Sequence, residues 1–291
     1  MIIENSNKIE VALHEASYYQ LINALSYSYY MSRYNEMDLE VDVLWSKHFV
    51  DDNFYFNNWD EPESFLEKFN YLHSMMEFKA NVDLKFNHRL TDNWNEYQMQ
   101  KLAFEKKCKK IRTNILGFGY DAHSKADKRT FLWPLKNNLK RVKNKVTFWK
   151  PTFVHKMMGS PSEVAWYEKG RNNDNLYTYK EYESIKKNLQ SLGYYVEEVE
   201  YRTPVREMYY HLATCEFAFG FVGVCQSLSI CLSTPTIMTK FKISAALNYD
   251  HLLTKVSVDM FKDKRYIDQN VQIAKQKVSV FRDFYENFFG E

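Results

Sequence analysis

Short apolar runs alternate with stretches of helical period along most of this 291-residue chain, and that alternation limits its fold more than any other feature. Residues 9–13 (IEVAL) and Leu39–Trp45 (LEVDVLW) are predicted strands. Between them Leu21, Ile22, Leu25 and Tyr29 recur at helical spacing, which predicts a helix over 19–34. A connection of that length allows a crossover, so the two strands should run parallel. The same order returns later. Strands are predicted at 146–150, 194–201, 216–221 and 235–240, and helices at 178–192, 204–215 and 222–233. Thr178 can cap the first of these helices and Gly193 can end it. A last helix over 267–289 carries Val271, Ala274, Val278, Phe281 and Tyr285 on one face.

The middle of the chain is less regular. Asp60-Glu61-Pro62-Glu63 reads as a helix start, followed by Phe65, Leu66, Phe69, Leu72 and Met76 on one face. Thr91-Asp-Asn-Trp starts a second long helix over 93–112. Gly117-Phe-Gly119 then breaks the pattern, and 136–145 is polar and basic. The predicted fold class is therefore α/β in two nucleotide-fold-like halves. The halves divide at 1–140 and 141–266, and the helix at 267–291 returns to pack on the first.

At 45% apolar residues the chain can bury cores for both halves. No run approaches the roughly 20 apolar residues of a membrane span. The N-terminus lacks a basic segment followed by an apolar run, so no signal peptide is expected and the predicted location is cytoplasmic. Cys108, Cys215, Cys225 and Cys231 form no C-x-x-C pair, and no histidine cluster accompanies them. Reduced, buried thiols are expected, with no metal site.

Charge is unevenly spread although its net value is only +2. Acids dominate 36–96, whereas 101–145 holds 14 Lys and Arg against three acids. A basic stretch of this kind either neutralises the acidic one within the fold or attracts a polyanion. Lys109, Lys110, Lys140 and Arg141 are its candidate contacts with nucleic acid.

In parallel α/β sheets, ligands bind beyond the carboxyl ends of the strands. That rule singles out His14 and Glu15 after the first strand, and Asp51 with Asp52 after the second. In the second half it singles out Lys150, Thr152, Arg202 and the segment from Gly220 to Ser227. Phe217-Ala-Phe-Gly220-Phe-Val-Gly223-Val-Cys-Gln226-Ser227 runs from apolar strand through a glycine turn into a helix. A helix N-terminus offers unpaired N–H groups and partial positive charge, which suit a diphosphate, but such turns also serve purely structural ends. Lys150, Lys156 and Arg171 on the long loop could neutralise phosphates, or could simply be solvated.

Three pieces of the second half together resemble the donor lobe of GT-B glycosyltransferases of the heptosyltransferase type, including reduced phage versions. They are Val146-Thr-Phe-Trp-Lys150-Pro, Leu189-x-x-Leu192-Gly193-Tyr-Tyr-Val196, and Leu212-Ala-Thr-Cys215-Glu-Phe-Ala-Phe-Gly220 with Thr234-Pro235-Thr-Ile237 beyond it. The resemblance covers about 146–240, with a weaker echo in Leu21-Ile-Asn-Ala-Leu25. It implies two Rossmann-like lobes around an interlobe cleft. It also implies transfer of a sugar from a UDP- or ADP-linked donor, without an obligatory metal or other cofactor. Two departures stand out: Tyr19-Gln20 occupies the place of the family's acidic residue, and the donor turn lacks Asp-Ser-Gly.

With glycosyl transfer as the chemistry, the residues beyond the strand ends take roles as follows. His14, Glu15 or Asp51 would deprotonate the acceptor hydroxyl. Lys150, Thr152, Arg171, Arg202, Gly223, Val224, Gln226 and Ser227 would bind the donor and steady its departing diphosphate. The first lobe would hold the acceptor. Phage enzymes of this general fold modify DNA bases, so a hydroxymethylated pyrimidine in double-stranded DNA is the expected acceptor. A saccharide or lipopolysaccharide is the rival, and a non-catalytic nucleic-acid-binding protein is the rival of another class.

Overall fold

Pattern becomes structure most directly in the strands, which assemble into two separate parallel sheets. The structure, a computed structural model, describes residues 8–13, 18–34, 36, 38–45, 62–85, 115–118, 132–150, 179–199, 203–220, 224–239 and 252–290. The chain divides into two units, Met1–Trp133 and Pro134–Glu291.

In the first unit, β1 (Lys8–Leu13) leads into α1 (Tyr18–Tyr34), β2 (Leu39–Trp45), α2 (Pro62–Met75), β3 (Val82–Lys85) and β4 (Ile115–Phe118). The sheet order is β3-β2-β1-β4, all parallel. Ile22, Leu25 and Tyr29 of α1 and Phe69 and Leu72 of α2 are buried, as their spacing requires. Trp133 closes the unit. Its backbone N–H donates to Ser26 Oγ at 2.9 Å, and its indole N–H donates to the Glu77 carbonyl.

The second unit runs β5 (Lys145–Trp149), α3 (Tyr179–Ser191), β6 (Tyr195–Val199), α4 (Val205–Thr214), β7 (Phe217–Gly220), α5 (Val224–Cys231), β8 (Thr236–Thr239) and β9 (Thr254–Val256). A 3-10 turn (Val258–Lys262) and α6 (Lys264–Phe289) complete it. The strand order is β6-β5-β7-β8-β9, again all parallel. β5 and β7 are buried along their whole length, so they form the centre of the sheet. Phe148 stacks on Tyr182 and packs on Phe219, both at 4.8 Å between ring centroids, and Phe219 meets Phe261 at 4.4 Å. Gly193 ends α3 at φ +86°, a left-handed position that suits glycine.

The terminal helix lies in the second unit, against β8, β9 and the 3-10 turn. Asp263 caps it, accepting from the Arg265 N–H at 2.8 Å, so the helix starts at Lys264 and not at the expected 267. The division between the units precedes the expected one after 140. The reason is local: Leu135 N–H donates to the Cys231 carbonyl at 2.8 Å, and the Asn137 amide donates to the Leu232 carbonyl at 3.2 Å. These bonds tie the start of the basic stretch to the second sheet's helices.

Candidate functional site at the centre of the second sheet

From β5 the chain steps to one side to form β6, then crosses back to form β7 on the other side of β5. The crossovers leaving β5 and β7 therefore diverge, and a crevice opens where those two strands end. Trp149 and Lys150 stand at the end of β5, Gly220 at the end of β7, and α5 begins four residues further on at Val224.

Gly220 has a steric reason to be glycine. A Cβ built there would lie 2.7 Å from Trp149 Cβ and 2.8 Å from Gln226 Nε2. The Trp149 Cβ is fixed to the backbone of β5 and cannot swing away. Gln226, in the first turn of α5, thus has its amide against the end of β7. It is only 1% exposed, and among the described residues neither Nε2 nor Oε1 has a hydrogen-bond partner. A buried carboxamide with donor and acceptor both unmatched is costly, and such groups in native folds call for an explanation such as a ligand.

The helix carrying Gln226 is held firmly. Ser229 Oγ lies 3.0 Å from the Gln226 carbonyl and 2.7 Å from Thr236 Oγ of β8, and its single proton serves one of the two. Thr236 Oγ also donates to the Thr234 carbonyl at 2.9 Å, and Thr234 Oγ to the Leu212 carbonyl at 2.8 Å. A run of small hydroxyls inside an apolar segment (Ser227, Ser229, Thr234, Thr236, all buried) pins α5 to the sheet. Against these hydroxyls, both polar atoms of Gln226 are unmatched among the described residues, as is the Ser233 hydroxyl at the far end of the helix.

Of the expected donor residues, the structure sets Gln226 against Gly220, and Ser227, next in α5, is buried. Lys150 stands at the end of β5, half-buried, with its backbone N–H donating to the Val199 carbonyl at 2.8 Å. Thr152, Arg171, Arg202 and Gly223, the side chain of Val224, and His14, Glu15, Asp51, Lys109 and Lys110 lie outside the described residues. His14 and Glu15 follow β1 directly in sequence. Sequence reasoning named Gly220 as a turn, but the close approach of Trp149 that fixes it was not legible.

Part of the basic stretch sits elsewhere. Arg141 Nη2 donates to the Ser233 carbonyl at 2.6 Å, and burial lowers the pKa of its guanidinium. Lys145, first residue of β5 and buried, donates to Thr214 Oγ at 3.0 Å and lies over the Tyr210 ring. Both are at the amino-terminal edge of the second sheet, opposite the β5–β7 crevice, and both turn inward. Lys136, Lys140 and Lys143 remain exposed. Arg141, an expected nucleic-acid contact, directs Nη2 of its guanidinium to backbone. Cys215 and Cys231 are buried. Among the described residues, no three His, Cys, Asp or Glu side chains gather as a metal site, and no helix is long and apolar enough to cross a membrane.

No protein-family model and no curated protein matches the chain. Among solved structures it is similar to the iron-containing dodecameric glycosyltransferase TibC from enterotoxigenic E. coli, at a TM-score of 0.40 and 9% identity over 99% of this chain and 78% of that one. A second structure of that protein, a heptosyltransferase in complex with ADP-D-beta-D-heptose, matches at a TM-score of 0.40 and 10% identity over the same shares. Likeness at this level fixes neither fold nor function.

Proposed function

We propose that the chain is a glycosyltransferase that takes a nucleotide-sugar at the β5–β7 crevice and passes the sugar to an acceptor hydroxyl. The observation that carries the reading is Gln226: a fully buried, unmatched carboxamide at a helix start, beside a glycine, at the strand-order switch of a parallel sheet. The amides of α5 suit a diphosphate, while the carboxamide offers a donor and an acceptor that suit a hydroxyl-bearing sugar or ribose. Lys150 would help neutralise the departing diphosphate, and Thr152, Arg171 and Arg202 are the further candidates for binding the donor. His14, Glu15 or Asp51 would take the acceptor's proton. A UDP- or ADP-linked donor and a mechanism without a resident metal belong to the same proposal and follow from the family resemblance.

For the acceptor, the exposed Lys136, Lys140 and Lys143 support a polyanion such as DNA with hydroxymethylated pyrimidines. The inward turn of Arg141 and Lys145 favours a second reading, in which the acceptor is a saccharide. Incubation of the protein with ADP- and UDP-sugars, and with hydroxymethylated DNA or oligosaccharide, tests both by product mass. A hexose or heptose increment on DNA supports the first and on saccharide the second. Donor binding without any increment leaves a non-catalytic binding protein.

A further inference from the structure

The terminal helix α6 has two apolar faces, and only one is covered. The face from Ile267 to Phe289 is buried in the second unit. A second stripe carries Tyr266, Ile273, Val280, Phe284 and Phe288, which are 58, 39, 66, 43 and 70% exposed. The first three are seven residues apart and the last two follow at intervals of four, so all five fall on one side of the helix. The stripe is about 33 Å long at helical rise. Phe284 and Phe288 lie 4.8 Å apart, which makes the aromatic end continuous. Together these side chains expose on the order of 500 Å² of apolar surface, at the upper end for patches on soluble monomers.

We infer that this stripe is the seam of a two-fold dimer, with α6 of one copy lying antiparallel on α6 of a second copy. Two features point to a second copy as the occupant. Two stripes together would bury roughly 1,000 Å², which reaches the threshold for a specific contact. Charge then sets the direction. On one flank of the stripe Arg265 stands near the start of the helix and Asp283 near its end. Arg265 and Asp283 are about five full turns apart, so they share one flank of the stripe. Antiparallel packing sets like flanks face to face, so Arg265 of each copy reaches the acidic end of the other, and the helix dipoles oppose. Parallel packing would set basic start on basic start.

Sedimentation velocity of the full chain over about 1 to 100 µM tests this inference. The expected result is a species of twice the 34.9 kDa chain mass that forms as concentration rises. Val280→Asp combined with Phe288→Asp should weaken it at least tenfold. Val142→Asp, at a residue 52% exposed elsewhere in the unit, should not. The substitutions on α6 leave its buried face untouched, and an unchanged helical circular dichroism signal would confirm folding. Arg265→Glu and Asp283→Arg should each weaken the dimer several-fold, and together restore it. A chain that stays monomeric at every concentration would overturn the inference. So would a dimer indifferent to the Val280 and Phe288 changes, or charge reversals that do not rescue each other.

Discussion

Two clusters of buried polar groups, one in each unit, differ in whether every atom is matched. In the first, Tyr29 Oη and His73 Nδ1 lie 2.7 Å apart under Trp133, and the tryptophan's own N–H groups reach Ser26 and Glu77. Each of these groups has its partner, so the cluster works as structure. In the second, aromatic rings fill the centre and hydroxyls pin α5 to β8, while among the described residues both polar atoms of the Gln226 amide at the strand-order switch are unmatched, as are the Ser233 and Thr254 hydroxyls away from it. A matched buried polar group stabilises a fold, whereas an unmatched one costs about 1–3 kcal/mol. The contrast teaches where to look for ligand contacts: at Gln226, not at the richer polar cluster around His73.

The strongest blow to one side of that contrast is Phe219→Ala, which empties the ring cluster between Phe148 and Phe261. It should cost about 3–5 kcal/mol, read as a lower urea midpoint for probes in the second unit. Next comes Gln226→Met, which keeps the shape but removes both unmatched atoms. It should raise the stability of the ligand-free protein by about 1–3 kcal/mol. A matched group gives the opposite result: Tyr29→Phe leaves His73 Nδ1 without its partner and should destabilise the first unit by about 1 kcal/mol. Gly220→Ala, forced against Trp149 Cβ, should cost about 1–3 kcal/mol and weaken donor binding as the strand end shifts.

The smallest effects are those of pH, and they differ in sign between the units. Burial lowers the Lys68 pKa from 10.5 to about 8. Above pH 8 the unfolded chain holds a proton that folded Lys68 has released, so the first unit gains stability as pH rises towards 10. Burial also lowers the His73 pKa, so below about pH 6.5 the unfolded chain takes a proton that the folded one refuses, and stability falls on acidification. Burial raises the Tyr29 pKa to about 12, which reverses the gain above pH 10. In the second unit, burial raises the pKa values of Cys215 and Tyr194. The folded state then keeps protons that the unfolded chain loses, so that unit weakens above about pH 9. Residue-resolved urea titrations at pH 7, 8 and 9 should show the first unit strengthening while the second does not.

The central strands were legible because they are apolar and their helices carry clean periodicity: β2 falls where LEVDVLW predicts it, and β1, β5, β7 and β8 within a residue or two. The strands that sequence reading missed are all at sheet edges. β3 (VDLK) and β9 (TKV) interleave charge with single apolar residues, as exposed edges do. β4 (ILGF) contains Gly117, which reads as a break. At the site, the glycine turn and helix start were visible in sequence. The unmatched state of Gln226 was not, because it depends on what the folded neighbours leave unpaired. The inward turn of Arg141 and Lys145 was hidden for the same reason, since a basic run looks the same whether its guanidinium meets solvent or a carbonyl.

Isothermal titration of the full chain and its Gln226→Met variant with ADP- and UDP-linked sugars puts the weight on a single side chain. Micromolar binding of one donor by the wild-type chain is expected, weakened tenfold or more in a variant that is itself more stable. Equal affinity in both proteins, or no binding of any nucleotide-sugar to the wild-type chain, would contradict that expectation.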